Sequence, residues 1–100
     1  MNLHHMAIKL NTLLKTYNLE GIDIMLLSYI VYRIENEPEV SISSVAQNFG
    51  LACKSTTHTR YKNLVRLNYL SWEFSKSNES VRRIIKGKDL HKVLNYIKAD

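Results

Sequence analysis

Apolar residues recur along this chain at two spacings, and the switch between them marks out its elements. Leu3, Met6, Leu10, Leu13, Leu14 and Tyr17 fall three or four residues apart. That is the period of one helical stripe, and it predicts a helix over about residues 3–17, ending near Asn18. A second helix is predicted from just after Gly21 to about Asn36. Ile24, Leu27, Val31 and Ile34 form its inner face, and the small Ser28 beside the stripe allows a neighbouring helix to approach. The segment Glu35 to Glu39, with the only proline at Pro38, closes that helix and opens a loop. Val40 to Ser43 reads as extended, with Ile42 pairing as a short third strand against a later hairpin.

A short helix follows, with Ser43 or Ser41 as N-cap and Val45, Ala46 and Phe49 turned inward. Gly50 is expected to stop it in the left-handed conformation that glycine adopts without penalty. The next helix spans roughly Lys54 to Leu67. Thr57, Tyr61, Leu64 and Leu67 lie on its inner side, and Asn68 supplies a left-handed exit. There the period changes from 3.6 to 2. Leu70, Trp72 and Phe74 alternate with Ser71 and Glu73, Ser75 to Glu79 make a polar turn, and Ser80 to Ile85 return through the β-branched Val81, Ile84 and Ile85. Gly87 ends the strand, and Asp89 caps a last helix carrying Leu90, Val93, Leu94 and Ile97. Helix, turn, helix, hairpin is the order of a winged helix-turn-helix. The fold class is mainly α with a small β-hairpin. One domain covers residues 1–100, and the terminal helices (1–20 and 88–100) are available for dimerisation.

Charge sharpens this picture. The formal net charge of the 100 residues is +5. Residues 1–50 hold Lys9, Lys15 and Arg33 against Glu20, Asp23, Glu35, Glu37 and Glu39, a balance of −2. Residues 51–100 hold eleven basic side chains against Glu73, Glu79, Asp89 and Asp100, a balance of +7. The positive field is therefore confined to the half that carries the second motif helix and the hairpin, as a polyanion-binding surface requires. Solvated surface is the plain alternative for the same charges.

The residues resemble the MarR-type family of winged-helix transcription regulators over about residues 20–98. SSVAQNFG corresponds to the first helix of the motif, STTHTRYKNL to the recognition helix, LNYL to its exit into the wing, and VRRIIKGKDLHKVL to the returning strand and following helix. Their order carries the likeness more than any single piece. Three departures stand out. The spacing from Gly50 to Leu64 is about one residue longer than is common, which shifts the outward-facing positions by one if the turn does not absorb it. Arg60 stands where an apolar residue is usual, and so belongs at the edge of the inner face. The chain is shorter than typical members, leaving about three turns of C-terminal helix for a dimer interface.

The resemblance implies a sequence-specific double-stranded DNA-binding transcription regulator and homodimer, with helix 54–67 in the major groove and wing 70–85 on the minor groove or backbone. A repressor is favoured over an activator because occluding a promoter needs no additional contact surface, and the sequence leaves the sign of regulation open. With Thr57, Tyr61 and Leu64 inward, the helix turns Ser55, Thr56, His58, Thr59, Lys62 and Asn63 outward. Hydroxyls, a threonine methyl and a lysine are groups that read base edges or hold phosphate. The same hydroxyls also serve simply to cap and solvate a helix start. Lys76, Asn78, Arg82 and Arg83 sit on or near the wing. Arg82 and Arg83 are strand neighbours and face opposite ways, with Arg83 expected beside the helix and Arg82 nearer the tip. Lys54, Arg66, Lys86 and Lys88 are generic phosphate candidates.

Other chemistries find less footing. His4 and His5 point about 100° apart on a helix, and His58 and His91 lack companions at ligand spacing, so neither a metal nor a cofactor is expected. Three glycines and no paired nucleophile and base leave no site for an enzyme. Cys53, at a helix start, is either a small packing residue or an oxidant-sensitive thiol. Tyr17, Tyr29 and Tyr32 are either core or the lining of a ligand cavity, and any small-molecule effector is unknown. One cysteine and no leader or membrane span favour the cytoplasm. Two further readings share the same fold: a protein-interaction module using its basic half on acidic partners, and a plasmid or phage replication or partition protein.

Overall fold

The computed structural model describes residues 8, 11, 12 and 14–98. Leu3, Met6, Leu10 and Leu13 of the expected first stripe, and His4 and His5, lie outside the described residues, as does the side chain of Ile97. Residues 14–17 are helical and end at Asn18, whose φ of 55° is left-handed. The elements that follow are α1 (Gly21–Asn36), α2 (Ile42–Asn48), α3 (Lys54–Arg66), β1 (Leu70–Phe74), β2 (Arg82–Lys86) and α4 (Leu90–Lys98).

Helix α1 starts where Asp23 reaches back to accept the Glu20 N–H at 2.9 Å, one half of a capping box. Its buried residues are Asp23, Leu26, Leu27, Ile30 and Val31. Of the four expected inner positions, Ile24 and Ile34 are only half-buried, and Leu26 and Ile30 take the centre. The physical reason is width. A helix packed against α3 and the sheet buries a band broader than one row, and the middle of the band decides which residues are fully covered.

Helix α2 opens at Ser41, whose side chain accepts from the Ser44 N–H at 3.2 Å. Ile42 is thus the first residue of a helix and not a strand. Among the described residues the sheet has two strands, and the bridge to this segment is made two residues earlier, by the Ile84 N–H donating to the Val40 carbonyl at 2.7 Å. The expectation for Gly50 is also corrected. No glycine has positive φ, and α2 ends because Phe49 turns extended while its N–H still reaches Val45.

Helix α3 leaves through a Schellman turn. The Tyr69 N–H donates to the Leu64 carbonyl, the Asn68 N–H donates to Val65, and Asn68 takes φ 66°. This delivers the chain into β1, which pairs antiparallel with β2 through Leu70↔Lys86, Trp72↔Ile84 and Phe74↔Arg82. Gly87 closes the base of the wing against that turn. A Cβ there would lie 2.7 Å from both the Asn68 carbonyl carbon and the Leu70 nitrogen. The turn at the far end is tied down by Glu39, whose carboxylate accepts from the Ser75 hydroxyl at 2.7 Å and from the Lys76 N–H at 3.2 Å.

The core gathers Leu26, Leu27 and Ile30 of α1, Val45 of α2, Leu64 of α3, Leu70 and Ile84 of the sheet, and Leu90 and Val93 of α4. The alternation read in β1 is only partly buried. Leu70 is covered, whereas Trp72 and Phe74 remain 36% and 52% exposed, because the wing projects beyond the helices that cover its base. Tyr17 packs edge-on against Tyr69 and Tyr29 against Phe49, but Tyr32 is exposed and is not part of the core.

Candidate nucleic-acid interface

Helix α3 turns by about 100° per residue, and its side chains sort by that angle. Thr57, Tyr61 and Leu64 are buried on one side, which settles the register left open by the extra residue after Gly50. Thr57 tolerates full burial because its hydroxyl donates to the Cys53 carbonyl at 2.9 Å. The outward set follows. Ser55, Thr56, Thr59, Lys62 and Arg66 are exposed, as is Lys54 at the helix start, while His58 and Asn63 are half-buried at the borders.

Thr59 donates its hydroxyl proton to the Ser55 carbonyl at 3.0 Å, so its methyl and lone pairs are what it offers to a ligand. Arg66 donates to Asn63 Oδ1 at 2.6 Å, which orients the guanidinium without neutralising it. Ser55, Thr56, Thr59, Arg60 and Asn63 line a shallow hollow on this face.

The two flanks of α3 differ. On one, Arg60 sits at the edge of the buried side and pairs with Glu20 at 2.8 Å and with Asp23 at 3.3 Å, both from the start of α1. Asp23 is 1% exposed, and its other oxygen, Oδ1, has no protein partner. On the opposite flank, His58, Tyr61, Lys62 and Val65 face the wing across a cleft completed by Ile42, Trp72, Arg82 and Ile84. Burial raises the Tyr61 phenol while the positive charge of Arg82 pulls it down.

Arg82 and Arg83 do face opposite ways, as the alternation requires. Their assignment is corrected, however: Arg82, at the tip end of β2, is the one beside α3, and Arg83 is not. Arg83 lies directly across from Glu73 and is held in an ion pair by that carboxylate. The strand register decides this, because position 82 shares its face with Trp72 and position 83 with Glu73.

The basic half thus separates into two groups. Arg60, Arg83, Lys86 and Lys92 are paired with Glu20 and Asp23, Glu73, Glu35 and Asp89 respectively. Lys54, Lys62, Arg66, Lys76, Arg82 and Lys88 are in no ion pair among the described residues, and of these Lys62, Arg66 and Arg82 lie on the outer face of α3 or across the cleft from it. Lys76 and Asn78 are exposed at the wing turn, where Asn78 Oδ1 accepts from Ser80. Sequence reasoning passed over Trp72 as a member of this surface. Its signal, an aromatic on the same strand face as Arg82, appears only once the pairing register is known.

Cys53 is the N-cap position of α3, exposed, with its sulfur 3.4 Å from Ser55 Oγ and 3.1 Å from Thr56 Oγ1. These two hydroxyls stabilise the thiolate and lower its pKa to about 7. No group of three or more potential metal ligands occurs among the described residues, and none of their helices is long and apolar enough to cross a membrane.

No protein-family model and no curated protein matches this chain. Its structure, by contrast, is similar to several solved ones. A DNA complex of Staphylococcus aureus MepR superposes with a TM-score of 0.74 at 12% identity, over 94% of this chain and 70% of that one. The Thermotoga maritima transcriptional regulator Tm0710 gives 0.69 at 15%, over 94% and 63%. MarR gives 0.65 at 18%, over 90% and 62%. The chain therefore has the winged helix-turn-helix fold of MarR-type regulators, and it spans about two thirds of the length of these neighbours.

Proposed function

We propose that this chain is a double-stranded DNA-binding transcription regulator that reads sequence through α3. Lys62, with Ser55, Thr56, Thr59 and His58, addresses the major groove. Lys54, Arg66, Lys76 and Asn78 hold the flanking backbone, and Arg82 reaches the adjacent minor groove or its phosphates. The observation that carries this reading is the sorting of charge: Lys62, Arg66 and Arg82, on the outer face of α3 and across its cleft, are in no ion pair among the described residues. Unpaired cations around a projecting helix and hairpin are what a phosphate backbone attracts. The same fold in a solved complex with DNA supports it. Arg83 makes the weakest claim among the candidates, because Glu73 already holds it.

The protein acts as a homodimer through the segments 1–20 and 88–100, which places two copies of α3 about one DNA turn apart. Repression is the simplest outcome, since occluding a promoter needs no further contact surface. Selection of bound sequences from a random DNA pool tests the whole reading. The expected product is a palindrome with half-sites ~10 bp apart, centre to centre. Lys62→Ala and Thr59→Ala are expected to weaken that site more than random DNA. Equal losses on both for every α3 variant would rule out sequence reading, and absence of retention at about 50 mM salt would rule out DNA binding.

A further inference from the structure

The one exposed indole of the chain lies beside Arg82, one of the unpaired cations of the proposed interface. The guanidinium carbon of Arg82 sits 4.1 Å from the centroid of the Trp72 ring. The two are diagonal neighbours on one face of the hairpin, since Trp72 pairs with Ile84 and Phe74 with Arg82. Phe74 meets Trp72 edge-on, with centroids 5.4 Å apart and planes at 77°, so the indole is itself wedged in place. Trp72 and Arg82 form the outer wall of the cleft whose inner wall is His58, Tyr61 and Lys62.

We propose that Trp72 is a positioning residue for DNA binding: it holds the Arg82 guanidinium against its ring face, poised beside α3, without neutralising its charge. This rests on the DNA-binding reading above. The neighbouring arginine supplies the contrast. Arg83 is also held, but by the Glu73 carboxylate, which occupies its Nε and Nη2 protons and cancels its charge. A ring face attracts the cation through its quadrupole and leaves the N–H donors, which lie in the guanidinium plane, free to meet acceptors. An arginine already ordered also loses less rotamer freedom on meeting DNA than one moving freely in solvent.

The test is a cycle of affinities for the selected site. Trp72→Ala and Trp72→Leu are expected to weaken binding by about 3- to 10-fold, while Trp72→Phe retains most of it, because leucine supplies apolar cover without a ring face. In the Arg82→Ala background the same substitutions are expected to change nothing. The salt dependence separates the roles further. Arg82→Ala lowers its slope by about one, whereas Trp72→Ala leaves the slope unchanged, since the ionic contact is still made. The lone tryptophan reports directly as well: Arg82→Ala is expected to alter its emission in the free protein. Wild-type affinity in Trp72→Leu, or equal losses with and without Arg82, would overturn the positioning role while leaving DNA binding intact. Failure of the wild-type chain to bind DNA at about 50 mM salt overturns both.

Discussion

The two flanks of α3 handle charge in opposite ways. Toward α1, Arg60 meets two carboxylates, one of them almost wholly buried, and the flank becomes a neutralised joint. Toward the wing, Lys62 and Arg82 face each other across a cleft lined by aliphatic side chains, aromatic rings and an imidazole, with no carboxylate among its lining residues. The first arrangement fixes where the helix sits. The second keeps positive charge available at the surface, which is stabilising only when something anionic arrives. One helix thus has a neutralised flank and a charged one, and substitutions on the two flanks should separate stability from the proposed DNA binding.

The largest effect is expected on the joint. Arg60→Ala leaves Asp23 buried beside an empty position and should cost about 2–3 kcal/mol in urea unfolding, at or below the ~3–5 kcal/mol for breaking a fully buried pair because Arg60 is itself partly exposed. Replacing both charges, Arg60→Met with Asp23→Asn, should recover more than half of that loss. No recovery would show that the charges are not what couples the two helices.

Next comes the base of the wing. Gly87→Ala drives a methyl into the backbone of Asn68 and Leu70 and should cost about 1–3 kcal/mol. If the wing then shifts away from α3, Trp72 emission changes with it. A thermal melt indistinguishable from wild type would contradict the close approach.

A smaller effect is expected at Cys53, where α3 begins. Because the thiolate is the nucleophile and its pKa is lowered to about 7, alkylation by iodoacetamide should accelerate as pH rises through about 7 and level off above it. Ser55→Ala together with Thr56→Val removes both hydroxyls, and the midpoint should move up toward the ordinary thiol value of about 8.5. An unmoved midpoint would mean that the hydroxyls are not its cause.

The smallest effect belongs to the outer face of the wing. Arg83→Ala breaks a largely surface cross-strand pair and should change stability by about 0.5 kcal/mol or less, with DNA affinity and its salt slope unaltered. A loss as large as that of Arg82→Ala would show that Glu73 releases Arg83 on binding, and would erase the contrast between the two arginines.

Much of the fold was legible in local patterns. The period-3.6 stripe placed Thr57, Tyr61 and Leu64 inward on α3, one of the two candidate caps, Ser41, started α2, and Asn68 after a helical run marked the left-handed exit. Each depends on residues a few positions apart, where helical geometry and capping chemistry act directly. Gly50 misled because a helix also ends when its C-cap residue turns extended, as Phe49 does.

What local patterns left open depended on contacts between distant segments. Val40 rather than Ile42 meets β2 because the start of α2 sets where the extended segment stops. Gly87 is required by the approach of a turn nineteen positions earlier, at Asn68. Arg60 finds Asp23 across 37 positions, and Glu39 finds Ser75 across 36. Above all, alternation separated Arg82 from Arg83 but did not say which would meet a carboxylate. Strand register placed Glu73 opposite one and Trp72 diagonal to the other, so pairing between strands, not composition, left Arg82 without a carboxylate across from it and beside α3.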